Sequence, residues 1–190
     1  GGDNVHTHLL HKAFEQKRKL QELYDNEVGE GVVNPLILIQ LPSDTSTLSD
    51  DDKSVREAVE YLLDSYYGIS IKNGRLAVWL SGEKDKDGLE DMNGLQDVLI
   101  FKQAIAQGWD CPRASILISY RNVRSEDFGI QTVGRILRMP HRKHYKNDDL
   151  NHGYVYTNIQ TNQINFVPSD SDYFDKLLAV RQDNKGWEYS

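Results

Sequence analysis

Two stretches of the chain hold residue types that can do chemistry. The first is FKQAIAQGWDCPRA, Phe101 to Ala114, in which Gly108, Trp109 and Asp110 follow one another. Gly108 permits a turn that other residues resist, and Asp110 then sets a carboxylate at the surface of the corner. Pro112 blocks helix continuation and favours an extended return. A carboxylate so placed can hold a ribose hydroxyl or an arginine, and Lys102 can meet a backbone phosphate; a plain corner with Trp109 as packing is the other reading. The second stretch is QTVGRILRMP, Gln131 to Pro140. If Ile130 to Met139 is helical, Ile130, Val133 and Leu137 form one stripe, and Gln131, Arg135 and Arg138 form another about 100° away. Gly134 lets the apolar stripe approach a sheet closely. Two guanidiniums and an amide are then presented together, a planar fork that suits phosphate oxygens. The same arginines could pair with carboxylates instead, and spacing alone leaves both open.

The elements that must position these stretches can be read from the pattern of apolar residues. His6 to Asn26 gives an amphipathic helix, with Leu10, Phe14, Leu20, Leu23 and Tyr24 on one side, ending at the glycine-rich hinge EVGEGVVNP. His6, His8 and His11 lack a carboxylate or cysteine to complete a ligand set, which predicts a solvated helix end and no metal. LILIQLP, from Leu36, is short and continuously apolar, as in a strand covered on both faces. Ser49 or Asp50 can cap a helix through SVREAVEYLLDSYYG. Three further apolar runs follow, RLAVWLSG, DVLIF and ASILISY, with the polar loop GEKDKDGLEDMNG between the first two. A helix through DFGIQTVGRILRM and a strand HGYVYTN complete the series. Alternating strands and helices predict an α/β fold, mainly a parallel sheet with helices on both faces, joined by right-handed crossovers. Ligands on such sheets gather beyond the carboxyl ends of the strands, where both stretches begin.

Composition restricts what these elements can serve. With 190 residues, 38% of them hydrophobic, the chain can bury one full core. No apolar run approaches the roughly 18 residues of a membrane span, so no membrane partner is expected. One cysteine, Cys111, excludes an internal disulfide and fits a reducing cytoplasm. The net charge of -7 argues against nucleic-acid binding by bulk electrostatics, although its distribution is uneven. Acidic residues outnumber lysine and arginine 13 to 6 between Asp44 and Asp97, whereas bases lead 7 to 2 between Arg121 and Lys146.

Taken in order with a strand between them, the two stretches resemble motifs V and VI of the second RecA-like domain of superfamily 2 helicases and translocases. QAIAQGWDCP is similar to the family's alanine-x-glycine-x-aspartate-x-proline motif, and QTVGRILR to its glutamine-x-x-glycine-arginine-x-x-arginine motif. The wider wording most resembles the restriction (Res) subunit of type III restriction-modification enzymes. With NPLILIQLPS as motif IV and RLAVWLSG as the next strand, the likeness runs from Asn34 to about Asn158.

The resemblance implies a RecA-like three-layer domain with a P-loop NTPase-like fold. Arg135 and Arg138 would reach the γ-phosphate of ATP on a first RecA-like domain of the same chain, with Gln131 near the attacking water and Gly134 beside the nucleotide. Gly108 and Asp110 would couple the nucleotide cleft to the DNA track. Lys102, Ser81 and Gly82 would line that track on double-stranded DNA. Relatives often carry threonine where Lys102 stands, which turns a neutral phosphate contact into a charged one. A modification methyltransferase subunit would be a further partner.

The sequence contains neither a glycine-rich lysine-serine/threonine loop nor an Asp-Glu-x-His/Asp box, so ATP and Mg2+ are expected only in a full-length protein and not on this chain alone. The chain is accordingly expected to be part of a longer protein, with residues 1–30 as helix and linker, 31–165 as the motor domain and 166–190 as an extension. A non-catalytic α/β module binding a phosphate or a protein, and an RNA helicase domain, are the alternatives.

Overall fold

A computed structural model of the chain describes residues 2–43, 45–81, 83–84, 87–102, 109, 111–120, 145–158 and 188–189. In chain order the elements are α1 (Gly2–Glu27), β1 (Leu36–Gln40), α2 (Asp50–Tyr67), β2 (Leu76–Leu80), β3 (Glu83–Lys84), β4 (Val98–Phe101), β5 (Ala114–Ser119), a 3₁₀ turn (Asp148–Asn151), β6 (Tyr154–Thr157) and β7 (Glu188–Tyr189). The strands form one sheet in the order β3-β2-β4-β1-β5-β6-β7. Five of them, β2, β4, β1, β5 and β6, run parallel, and the two-residue strands β3 and β7 pair antiparallel at the edges. This is an α/β fold with helices flanking a parallel sheet, compatible with a RecA-like three-layer domain.

Leucine and isoleucine dominate the central strands because both faces are covered. Ile37 and Ile39 of β1, Val98 and Ile100 of β4, and Ile116 and Ile118 of β5 share one hydrophobic core with Leu10, Ala13, Leu20 and Tyr24 of α1 and Val59, Leu62 and Leu63 of α2. Leu36 and Leu38, which alternate with these on β1, are equally buried, as are Leu99 and Leu117 beside them. Each such side chain contributes about 1.5–3 kcal/mol by leaving water.

Helix α1, expected at His6 to Asn26, extends nearly to the start of the chain and packs directly on the sheet. It runs opposite to the strands. His6 near its start donates to or accepts from the Tyr120 hydroxyl at 2.9 Å, just past the end of β5. Lys17 meets the Pro35 carbonyl at 2.7 Å, just before β1. The three N-terminal histidines therefore differ: His8 and His11 are exposed as expected, while His6 is half-buried against Tyr120.

The start of α2 is fixed by a capping box. Ser49 Oγ accepts from the Asp52 amide at 3.0 Å, and the Asp52 carboxylate accepts from the Ser49 amide at 2.9 Å. Gly68 ends the helix in the left-handed region at φ 63°, where a side chain is disfavoured. No described helix is long and apolar enough to cross a membrane.

Candidate functional site at the carboxyl edge of the sheet

The carboxyl ends of the parallel strands line up in register. Trp79 of β2 lies beside Phe101 of β4, Phe101 beside Gln40 of β1, Gln40 beside Ser119 of β5, and Ser119 beside Thr157 of β6. The row is aromatic at one end and polar at the other, and all five side chains are buried. Ser119 Oγ approaches Gln40 Oε1 at 3.4 Å. The first stretch leaves this edge at Lys102, and the chain is next described at Trp109, Cys111 and Pro112 on its way to the start of β5. β5 reaches the same edge at Tyr120, whose amide donates to the Gln40 carbonyl at 3.0 Å, and the second stretch lies outside the described residues. The chain reappears at Tyr145, packed edge-on against Tyr24, with the Lys146 and Asn147 amides donating to Glu27 at the far end of α1.

Of the residues singled out in the sequence, Gln131, Gly134, Arg135, Arg138, Gly108, Asp110 and Gly82 lie outside the described residues. Ser81 is an exposed turn residue at the carboxyl end of β2. Trp109 packs edge-to-face on Trp79, with ring centroids 5.4 Å apart, and its indole N–H donates to Glu90 at 2.8 Å.

Lys102, read from the sequence as a contact for a DNA phosphate, is instead fully enclosed. Its ammonium donates to Asp52 Oδ2 at 2.5 Å, to the Ser43 hydroxyl and to the Thr47 carbonyl at 3.1 Å. All three N–H directions are thereby taken up inside the protein. Asp52 is also fully enclosed and accepts from the Ser43 amide at 2.9 Å, the Ser43 hydroxyl at 2.5 Å and the Ser49 amide at 2.9 Å. Burial pushes the Asp52 carboxyl up, but the bonds from Lys102, Ser43 and Ser49 outweigh it and hold the group at about 2, below its ordinary 3.8. The carboxylate sits at the positive end of α2 and accepts there from the Ser49 amide. Among the described residues there is no group of three or more histidine, cysteine, aspartate or glutamate side chains suited to a metal.

A second polar network lies at the opposite, amino edge. Arg113 is fully buried and donates to the carbonyls of Leu89 at 2.8 Å, Asn34 at 2.9 Å and Gln96 at 2.8 Å. Asp97 is bonded by Arg75 at 2.6 Å and by the Asn34 amide group at 3.0 Å, with Lys17 at 3.4 Å. Burial lowers Lys17 from 10.5 to about 8 against the opposing pull of Asp97. Burial likewise raises the Cys111 thiol from 9.0 to about 11. These groups tie the strand starts together, away from the edge where ligands gather.

The sequence reading missed Asp52 and Ser43 as part of the candidate edge, although the Ser49-x-x-Asp52 spacing of a capping box was a usable signal. Nothing local marked Lys102 as their partner, because 50 residues separate it from Asp52. Comparison with known proteins finds no matching family model, no matching curated protein and no matching solved structure.

Proposed function

We propose that the chain is the second motor domain of an ATP-dependent DNA helicase or translocase, of the kind found in the restriction subunit of type III restriction endonucleases, acting in the cytoplasm. Arg135 and Arg138 stabilise charge at the γ-phosphate of ATP held by a first RecA-like domain, and Gln131 orients the attacking group beside them. Stabilisation of this kind is worth on the order of a thousandfold or more in rate. The observation that carries the reading lies in the strands that precede the two motifs in the chain. β4 and β5 pair parallel with β1 on either side and end at one edge of the sheet. The DNA track is drawn along the same edge, with Ser81 exposed at the end of β2.

The test is Arg138→Lys in the full-length protein. Lysine keeps the charge but not the planar fork. ATP turnover should fall at least a hundredfold, KM should change much less, and DNA translocation and cleavage should be lost together. Normal turnover in a folded variant removes the arginine from this role. A non-catalytic module that binds a phosphorylated or protein ligand draws support from the net charge of -7 and from the enclosure of Lys102. Binding of DNA by the full-length protein with no response to ATP would favour it.

A further inference from the structure

The loop after β1, the first turn of α2 and the exit of β4 meet at one point. Asp52 stands there as a hub, with Ser43 and Ser49 on its loop side and Lys102 on its strand side. Lys102 adds a bond of its own to Thr47, so it holds the loop twice, once through Asp52 and once directly. Phe101, the residue before it, is fixed in the sheet between β1 and β2, and the first motif begins with the residue after it. The Leu41 amide donates to the Phe101 carbonyl at 3.0 Å, so backbone and side chain both lock the two strand exits together.

We infer that Lys102 is a positioning residue that holds the Ser43–Ser49 loop and the exit of β4 in one fixed relation, and that it does not itself touch nucleic acid. The inference rests on the reading of this edge as a DNA track. On that reading, the loop after β1 and the exit of β4 meet the DNA backbone as a single body. An ammonium with no exposed surface and three internal acceptors has nothing left to offer a phosphate. Removing it leaves the Asp52 carboxylate buried without its counter-charge, and the loop must rearrange to hydrate it. Removing both charges avoids that. The Ser43 and Ser49 amides bind different oxygens of Asp52, so an asparagine there keeps one of the two bonds through Oδ1 and carries no charge that needs a partner.

The experiment compares wild type, Lys102→Met and the double variant Asp52→Asn/Lys102→Met, each as the 190-residue chain. Two measurements are made: amide hydrogen exchange, and binding to a fluorescent double-stranded DNA oligonucleotide across a salt series. For a positioning residue, Lys102→Met speeds exchange at Ser43, Ser49, Asp52 and Lys53 at least tenfold more than in central β1, and weakens DNA binding about tenfold with no change in salt slope. The double variant buries no unpaired charge, so it restores DNA binding, and exchange at Asp52, Lys53 and whichever of Ser43 and Ser49 keeps its bond, to within about threefold of wild type. A direct phosphate ligand behaves otherwise: both variants lose about one unit of the slope of log K against log salt, and the second substitution rescues nothing. That result overturns the inference, as does uniform or absent acceleration of exchange. If wild type binds no DNA, the reading of the edge as a track fails, and the exchange data still decide whether Lys102 positions the loop. Should Lys102→Met not fold, the double variant decides alone: exchange at Asp52 and Lys53 within about threefold of wild type with an unchanged slope supports the inference, and faster exchange at both or a slope lower by one overturns it.

Discussion

At the scale of single residues, burial determines which groups carry charge and at what pH. Asp52 is held at about 2 against an ordinary 3.8, so its contribution to stability is complete above 3.8 and is lost as pH falls through 2. Asp52→Asn should flatten acid unfolding over that window. It should also cost about 3–5 kcal/mol at neutral pH, because Lys102 is left buried and unpaired. Lys17 gives a slope of the same sign in the alkaline range, although there it is the charged form that burial penalises. Its folded value of about 8 lies below 10.5, so the unfolded chain binds more protons between these limits and stability rises with pH there. Cys111 opposes it from 9.0 upward, since its folded value is raised to about 11. Denaturant titrations in a Cys111→Ser background should therefore show unfolding free energy climbing from pH 8 to 9.5. The climb should vanish when Lys17→Met is added. A flat profile in the background protein would mean that the amino-edge network leaves Lys17 solvated.

At the scale of elements, what could be read from the sequence depended on how local the cause was. The central strands were legible because continuous apolar runs of four to six residues leave few alternatives, and the structure buries every residue of β1, β2, β4, β5 and β6. The capped α2 was legible too, since Ser49, Asp52 and Gly68 each act within a few residues of their own position. The two-residue strands β3 and β7 were not, having no periodicity and existing only because a neighbouring strand offers a free edge. Arg113 was equally hidden, as its carbonyl partners come from Asn34, Leu89 and Gln96. The turn around Gly94 exists to make room for it. A β-carbon there would fall inside the van der Waals reach of the Gly88 carbonyl oxygen and of Arg113 Nη2. Gly94→Ala should lower stability by about 1–3 kcal/mol by thermal or urea unfolding. A neutral effect would show that the Gly88 to Gly94 turn yields freely and does not clamp the arginine.

At the scale of the whole molecule, charge is divided between regions more than it is balanced overall. The first turn of α2, after the carboxyl end of β1, holds Asp50, Asp51 and Asp52 in succession. The excess of lysine and arginine falls in the sequence between Arg121 and Lys146, and Lys146 itself is exposed. A chain of net charge -7 repels DNA at long range, so binding must draw on local groups such as these bases and must be strongly salt-dependent. The isolated chain should bind double-stranded DNA weakly at low salt and lose most of that binding between about 50 and 200 mM. Each neutralised phosphate contributes about 0.9 to the slope of log K against log salt, so changing Arg142 and Lys143 to glutamine should lower the slope by close to two if both make contact. Binding that persists at high salt, or a slope indifferent to these charges, would move recognition away from these bases and toward a surface that reads its ligand by shape.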